Sequence, residues 1–125
     1  MNALIIEDEF PAAEKLERYI QKYDNSISIS AKLTSVENSV IWLKEHENSI
    51  DIIFADIQLS DGLSFEIFNQ IHVQKPIIFT TAFDEFAVDA FKLNSIDYIL
   101  KPITFTEVSK ALTKFKNFKS FLSTE

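Results

Sequence analysis

No cysteine occurs anywhere in the 125 residues. Its absence excludes a disulfide framework, a thiolate metal site and a cysteine nucleophile, and fits a reducing cytoplasm. Glycine occurs once, at Gly62, so a glycine-rich phosphate loop cannot be built. Positive charge is scarce too: 12 Lys and Arg stand against 19 Asp and Glu, a net charge of −7. That balance disfavours non-specific nucleic-acid binding, which needs clustered cations on the phosphates, so any DNA-binding role requires another domain. No apolar run reaches membrane-spanning length, and Met1-Asn2 leads straight into Ala3-Leu4-Ile5-Ile6 with no basic leader. The expectation is a soluble cytoplasmic chain that is neither exported nor membrane-bound.

What is present suits one well-packed domain. Hydrophobic residues make up 46% of the chain and Phe alone fills 12 positions, which argues against disorder, and the length supports a core without disulfide or structural metal. The organising stretch is Ile52-Ile53-Phe54-Ala55-Asp56-Ile57-Gln58-Leu59, an apolar run that carries one carboxylate and is followed by the turn signal Asp61-Gly62. Such a run is too short for a typical helix and reads as a strand buried on both faces. A lone ionised carboxylate is costly to bury there, so Asp56 is expected at the strand's carboxyl edge with a cation or donor nearby.

The rest of the chain alternates strand-like and helix-like segments. Ala3 to Ile6 is a short strand ending at Glu7-Asp8-Glu9. Pro11 then suits the first turn of a helix whose stripe is Ala13, Leu16 and Ile20. Ile27 to Leu33 alternates with period two, as expected of a strand with one more exposed face. Thr34 to Glu37 has capping-box spacing and opens a helix through Val36, Val40 and Leu43. Ser64 to Ile71 reads as a third helix, Ile77 to Thr81 as a fourth strand, Asp84 to Leu93 as a short helix, and Ile96 to Leu100 as a fifth strand. Thr104 to Glu107 is a second capping box, leading a helix with Val108, Ala111, Leu112 and Phe115 on one face.

Five strands and five helices in alternation imply an α/β fold: a parallel five-stranded sheet of flavodoxin-like order 2-1-3-4-5 with helices on both faces. In such sheets the functional crevice lies beyond the strand carboxyl ends, and Glu7, Asp8, Asp56, Thr81 and Lys101 all fall there. Clustered carboxylates repel unless some are protonated or a cation is present, and an all-oxygen donor set suits Mg2+. An ionised carboxylate needs no general base to act as a nucleophile toward phosphorus, giving an aspartyl-phosphate. Lys101 offers a compact positive charge for a phosphoryl oxygen, and Thr81 a neutral donor.

Ile5-Ile6-Glu7-Asp8-Glu9, Asp56 with Asp61-Gly62, Thr81-Ala82, and Tyr98-Ile99-Leu100-Lys101-Pro102 together resemble the receiver domain of bacterial two-component response regulators. The resemblance covers essentially the whole chain and rests on five separated positions. It implies that Asp56 is the phosphoacceptor, with Asp8 and Asp56 as direct Mg2+ ligands, Glu7 acting through water and Gln58 giving a backbone carbonyl. It makes Thr81 the switch threonine, Lys101 the phosphate-binding lysine and Tyr98 the rotating aromatic. Two positions depart from the family pattern. Glu7 stands where Asp is commoner, and Ser60 replaces the Pro usual after the phosphoacceptor. Thr80 to Ala87, with Ala90-Phe91 and Asp97-Tyr98, more narrowly resembles receivers joined to a LytTR-type DNA-binding domain. Residues 1–125 would then be either a receiver whose C-terminal output domain is absent from this chain or a single-domain regulator, and the narrower resemblance favours the first. The implied partner is a sensor histidine kinase or phosphotransfer protein.

Each residue also has a plainer reading. Asp56 alone could cap a strand end, Lys101 could be a solvated loop charge, Thr81 could bond its own turn, and Tyr98 could be core. His46 and His72 read as solvated, and Trp42 as partly exposed. Phe121, off the last helix's stripe, could meet a partner or a missing domain. Two function classes remain: a phosphorylatable signalling switch, which modifies itself rather than turning over a substrate, and a receiver-like interaction scaffold that is not phosphorylated. A hydrolytic phosphatase is weaker, because Gln58 stands where its second Asp would be. For the switch, a face formed by the fourth helix, fifth strand and last helix, with Phe86, Val88, Lys92 and Asp97, is expected to form a phosphorylation-promoted homodimer or to dock an output domain in cis.

Overall fold

In a computed structural model of the chain, residues 1–83 and 95–123 are described, with side chains through Lys119. The helix expected over 84–93, with Phe86, Val88 and Lys92, lies outside the described residues, as does the side chain of Phe121. Five strands form one parallel sheet: β1 (Asn2–Ile6), β2 (Ser28–Leu33), β3 (Ile52–Asp56), β6 (Ile77–Thr81) and β7 (Ser95–Leu100). Their order is β2-β1-β3-β6-β7. With the sheet strands renumbered one to five, this is the flavodoxin-like order 2-1-3-4-5. A separate two-stranded ribbon, β4 (Gln58–Leu59) against β5 (Gly62–Leu63), interrupts the alternation expected from sequence. It forms because Asp61-Gly62 turns the chain back at once. Gly62 adopts φ +147°, a conformation L side chains rarely take, and a Cβ there would collide with the Glu66 carboxylate.

The period of two along each central strand divides the core. Ala3, Ile5, Ile52, Phe54 and Ile78 face one side, where they meet Ala13, Leu16 and Ile20 of α1 (Phe10–Tyr23) and Val108, Ala111, Leu112 and Phe115 of the C-terminal helix (Phe105–Ser123). Leu4, Ile6, Ile53, Ala55, Ile77 and Phe79 face the other side, against Val36, Val40 and Leu43 of α2 (Val36–His46) and Ile67 of α3 (Phe65–Gln70). Burying each Val, Leu, Ile or Phe of these sets contributes about 1.5–3 kcal/mol, so the alternating sets fix which way every strand faces. Phe65 and Phe68 meet Phe79 edge-on, at centroid distances of 5.1 and 6.0 Å. β2, at the sheet edge, alternates exposed and half-buried residues.

Helix starts differ in how closely they follow the sequence pattern. Pro11 sits in the first turn of α1 as expected. The cap of α2 is Ser35 rather than Thr34, with its Oγ accepting from Asn38 N at 3.1 Å. The cap of the C-terminal helix follows the box: Glu107 N donates to Thr104 Oγ1 at 3.2 Å, and that hydroxyl donates to the Glu107 carboxylate. Trp42 is half-buried, and its ring lies 4.6 Å from that of the exposed His46; His72 is also exposed.

Candidate functional site

Strand register decides where the polar residues fall. Ile6 pairs with Ala55, Asp56 with Thr80, and Thr81 with Leu100. The next residues along β1 and β7, Glu7 and Lys101, therefore emerge at the same rim as Asp56 and Thr81. One carboxylate oxygen each from Glu7, Asp8 and Asp56 lie within 4.8 Å of one another. Glu7 and Asp56 are nearly inaccessible, at 5% and 6% exposure. Lys101 Nζ reaches both, at 2.7 Å from Glu7 Oε1 and 3.1 Å from Asp56 Oδ2. The other Glu7 oxygen accepts the Glu9 N–H at 3.2 Å. The peptide bond joining Lys101 to Pro102 is cis.

Burial dominates the electrostatics of Glu7. Loss of water pushes its pKa from 4.5 up to about 7; the Lys101 hydrogen bond opposes this rise and the Asp56 charge adds to it. Burial also acts to lower the pKa of Lys101, but its bond to Glu7 and the charges of Asp56 and Glu7 outweigh it, and the net shift is upward. One ammonium thus faces three carboxylates. The excess negative charge and all-oxygen donor set fit a hard divalent cation such as Mg2+. Both Glu7 oxygens already have partners, whereas Asp8 has none among the described residues.

Thr81 is fully buried at the end of β6, and its Oγ1 accepts the Phe83 N–H at 3.2 Å. Tyr98, half-buried in β7 against the core cluster of α2 and α3, donates its hydroxyl to the Phe83 carbonyl. Both residues expected to switch thus hold the same residue, a link that sequence reasoning did not draw. Gln58 lies in the ribbon just beyond Asp56 and its side chain is exposed. Asp61, noted in the sequence only as part of a turn, accepts the Val36 and Glu37 N–H groups at 2.8 and 3.1 Å. It caps α2 from outside that helix and thereby ties the loop after Asp56 to it. Nothing local in the sequence signals a cap supplied from 25 residues away; the capping box at Thr34 pointed elsewhere. A cleft of about 440 Å3, lined by Glu7, Ala12, Lys15, Ala82 and Lys101 among others, opens beside the carboxylates.

No helix among the described residues is long and apolar enough to cross a membrane. The chain is 35% identical over 122 residues to the sensory transduction protein LytT of Bacillus anthracis, covering 95% of this chain and 48% of that protein. It is 38% identical over 124 residues to the transcriptional regulatory protein LytR of Staphylococcus aureus, covering 96% and 49% respectively. It therefore spans about half the length of the curated relatives it matches. Among solved structures, the response regulatory domain of mrkE from Klebsiella pneumoniae superposes with a TM-score of 0.80 at 33% identity, covering 94% of this chain and 96% of that one. The signal receiver domain of a Luxo repressor protein from Vibrio parahaemolyticus superposes with a TM-score of 0.81 at 19% identity, covering 99% and 96%, which speaks for the fold alone. A family model described as the response regulator receiver domain matches residues 3–113, and with the five-stranded sheet and its acidic rim this places the chain in the response regulator receiver domain family.

Proposed function

We propose that the chain is a phosphorylation-dependent signalling switch that accepts a phosphoryl group on Asp56 from a histidine kinase or phosphotransfer protein. The observation that carries this reading is the meeting of Asp56 with Lys101 Nζ at 3.1 Å and with the Glu7 and Asp8 carboxylates at one strand-end rim. An Asp56 oxygen forms the new P–O bond as the P–N bond to the donor imidazole breaks, and the leaving nitrogen keeps the electron pair and takes a proton. Asp8 and Asp56 would hold Mg2+ directly, with Glu7 acting through water and Gln58 giving its backbone carbonyl; the occupied oxygens of Glu7 support its indirect role. When bound, the ion neutralises charge on the transferring phosphoryl group. Lys101 holds one phosphoryl oxygen and orients the product. Thr81 turns its hydroxyl toward another, and the Tyr98 ring follows into the space behind it.

The chain acts in the cytoplasm, as the receiver half of a longer regulator whose output domain is a LytTR-type DNA-binding domain. Relatives about twice as long, named for sensory transduction and transcriptional regulation, support that reading. Phosphorylation promotes a homodimer through the face around Asp97, β7 and the C-terminal helix; sedimentation with and without beryllofluoride tests it, and a monomer in both states leaves docking onto the output domain in cis.

Mass spectrometry after incubation with acetyl phosphate and Mg2+ tests the central step. The expected result is one added phosphoryl group, absent in Asp56→Asn, and a rise in unfolding temperature with millimolar Mg2+ that Asp8→Asn abolishes. An unmodified mass would leave the non-phosphorylated scaffold as the better account.

A further inference from the structure

The opposite end of the sheet, away from Asp56, holds a larger concavity of about 710 Å3. It forms where the amino ends of β3, β6 and β7 meet the second half of the C-terminal helix. Its apolar lining includes Ile96, Phe115 and Phe118; Phe118 is left 51% exposed although its helix neighbour Phe115 is buried. Lys75, Lys114 and Lys119 stand around this lining. None of the three has an ion-pair or hydrogen-bond partner among the described residues, so their charges are not spent on a neighbouring carboxylate there. The acidic residue in the lining, Asp51, is engaged, its Oδ2 accepting the Asn2 N–H at 2.7 Å. Three ammonium groups without a carboxylate partner among the described residues thus gather at one apolar hollow, in a chain whose net charge is −7.

We propose that this cleft binds a small amphiphilic anion: a carboxylate, sulfonate or phosphate carried on an apolar or aromatic body. The volume lies in the range of small-ligand pockets. The body lies over Ile96, Phe115 and Phe118, and removing Phe118 from water adds to binding. The head group meets the ammonium groups, whose local positive field attracts an anion even though the molecule as a whole repels one. Lysine stems lie readily along apolar surface while their charged ends stay in water, so the same residues contact both halves of such a ligand.

Fluorescence titration of the full chain with 1-anilinonaphthalene-8-sulfonate tests the proposal, because the dye has the proposed chemistry. Saturable binding at one site per chain is expected. The dissociation constant should rise by about fivefold or more in the Lys114→Ala, Lys119→Ala double variant and in Phe118→Ser, and with added salt. These side chains are exposed, so the variants keep their fold. The uncharged analogue N-phenyl-1-naphthylamine should bind more weakly and ignore the lysine changes. Absence of binding overturns the proposal, as does an affinity untouched by the lysine variants but lost in Phe10→Ser, which alters the most exposed Phe among the described residues. Lysine-dependent capture of an acidic aromatic peptide without binding of the dye would overturn it in favour of a peptide groove.

Discussion

Lys101 lies closer to Glu7 than to Asp56, 2.7 Å against 3.1 Å. The ammonium assigned to the phosphoryl group is therefore anchored by a carboxylate that is not the acceptor. Glu7 has one methylene more than the Asp usual in the family, and with that reach one oxygen meets Lys101 while the other meets the Glu9 N–H. Glu7 thus positions the lysine as well as adding negative charge to the rim.

Removing that lysine exposes the cost of the arrangement. Lys101→Met should leave two buried carboxylates facing each other without their cation, and lower stability by about 1–3 kcal/mol at pH 8. That range is below the 3–5 kcal/mol of a fully buried pair because Lys101 is half-buried. The loss should shrink at pH 5.5, where Glu7 takes up a proton. Urea unfolding of both proteins at the two pH values checks this; an equal loss at both would show that Glu7 does not relieve the repulsion.

The raised pKa of Glu7 has its own signature. Between about 4.5 and about 7 the folded chain holds a proton that the unfolded chain has released, so this group's contribution is greatest below pH 4.5 and declines as pH rises to about 7, then levels. The full decline is at most about 3 kcal/mol. Asp24 and Asp61 titrate in the opposite sense, since hydrogen bonds hold both below the usual carboxylate range and their stabilisation is lost as pH falls. The difference between wild type and Glu7→Gln isolates the contribution of this carboxyl. It should favour wild type most at and below about pH 4.5, and a difference independent of pH would contradict the assignment.

The fold was legible because its signals are local. Ile52 to Asp56 and Ile77 to Thr81 are continuous apolar runs of strand length, and Ala13, Leu16 and Ile20 recur at helical spacing, so local pattern gave the elements, and their alternation gave the sheet order. The rim was legible because in a parallel sheet every strand ends on the same side. What stayed hidden depends on contacts between distant residues. Lys101 and Glu7 are 94 positions apart, and nothing in either neighbourhood states that one holds the other. The ribbon at Gln58–Leu63 is too short to leave a periodic trace, and the Ser35 cap competed with an equally plausible box one residue earlier.

The Asp61 cap should be structural and separable from phosphorylation. Asp61→Ala removes the acceptors for two N–H groups in the first turn of α2, which should lower the unfolding temperature and speed amide exchange at Val36 and Glu37. Asp61→Asn, which keeps one acceptor oxygen, should recover part of the loss. Acetyl-phosphate labelling of Asp56 should still reach completion in both variants. If exchange at Val36 and Glu37 is unchanged in Asp61→Ala, those hydrogen bonds do not hold the helix start in solution.

The Phe83 peptide offers the most direct view of switching. Its N–H is held by Thr81 Oγ1 and its carbonyl by the Tyr98 hydroxyl. A Thr81 hydroxyl that turns to a phosphoryl oxygen stops accepting the Phe83 N–H, and losing one such bond corresponds to about tenfold faster amide exchange when opening is local. Beryllofluoride with Mg2+ should therefore raise Phe83 exchange about tenfold in wild type. Thr81→Ala should exchange at the raised rate from the start and respond little to beryllofluoride. Tyr98→Phe should retain the response, because it removes the carbonyl's partner and not the amide's. Amide exchange followed by NMR reads all three proteins; a Phe83 rate in wild type indifferent to beryllofluoride would mean that Thr81 does not leave the loop when the acceptor is filled.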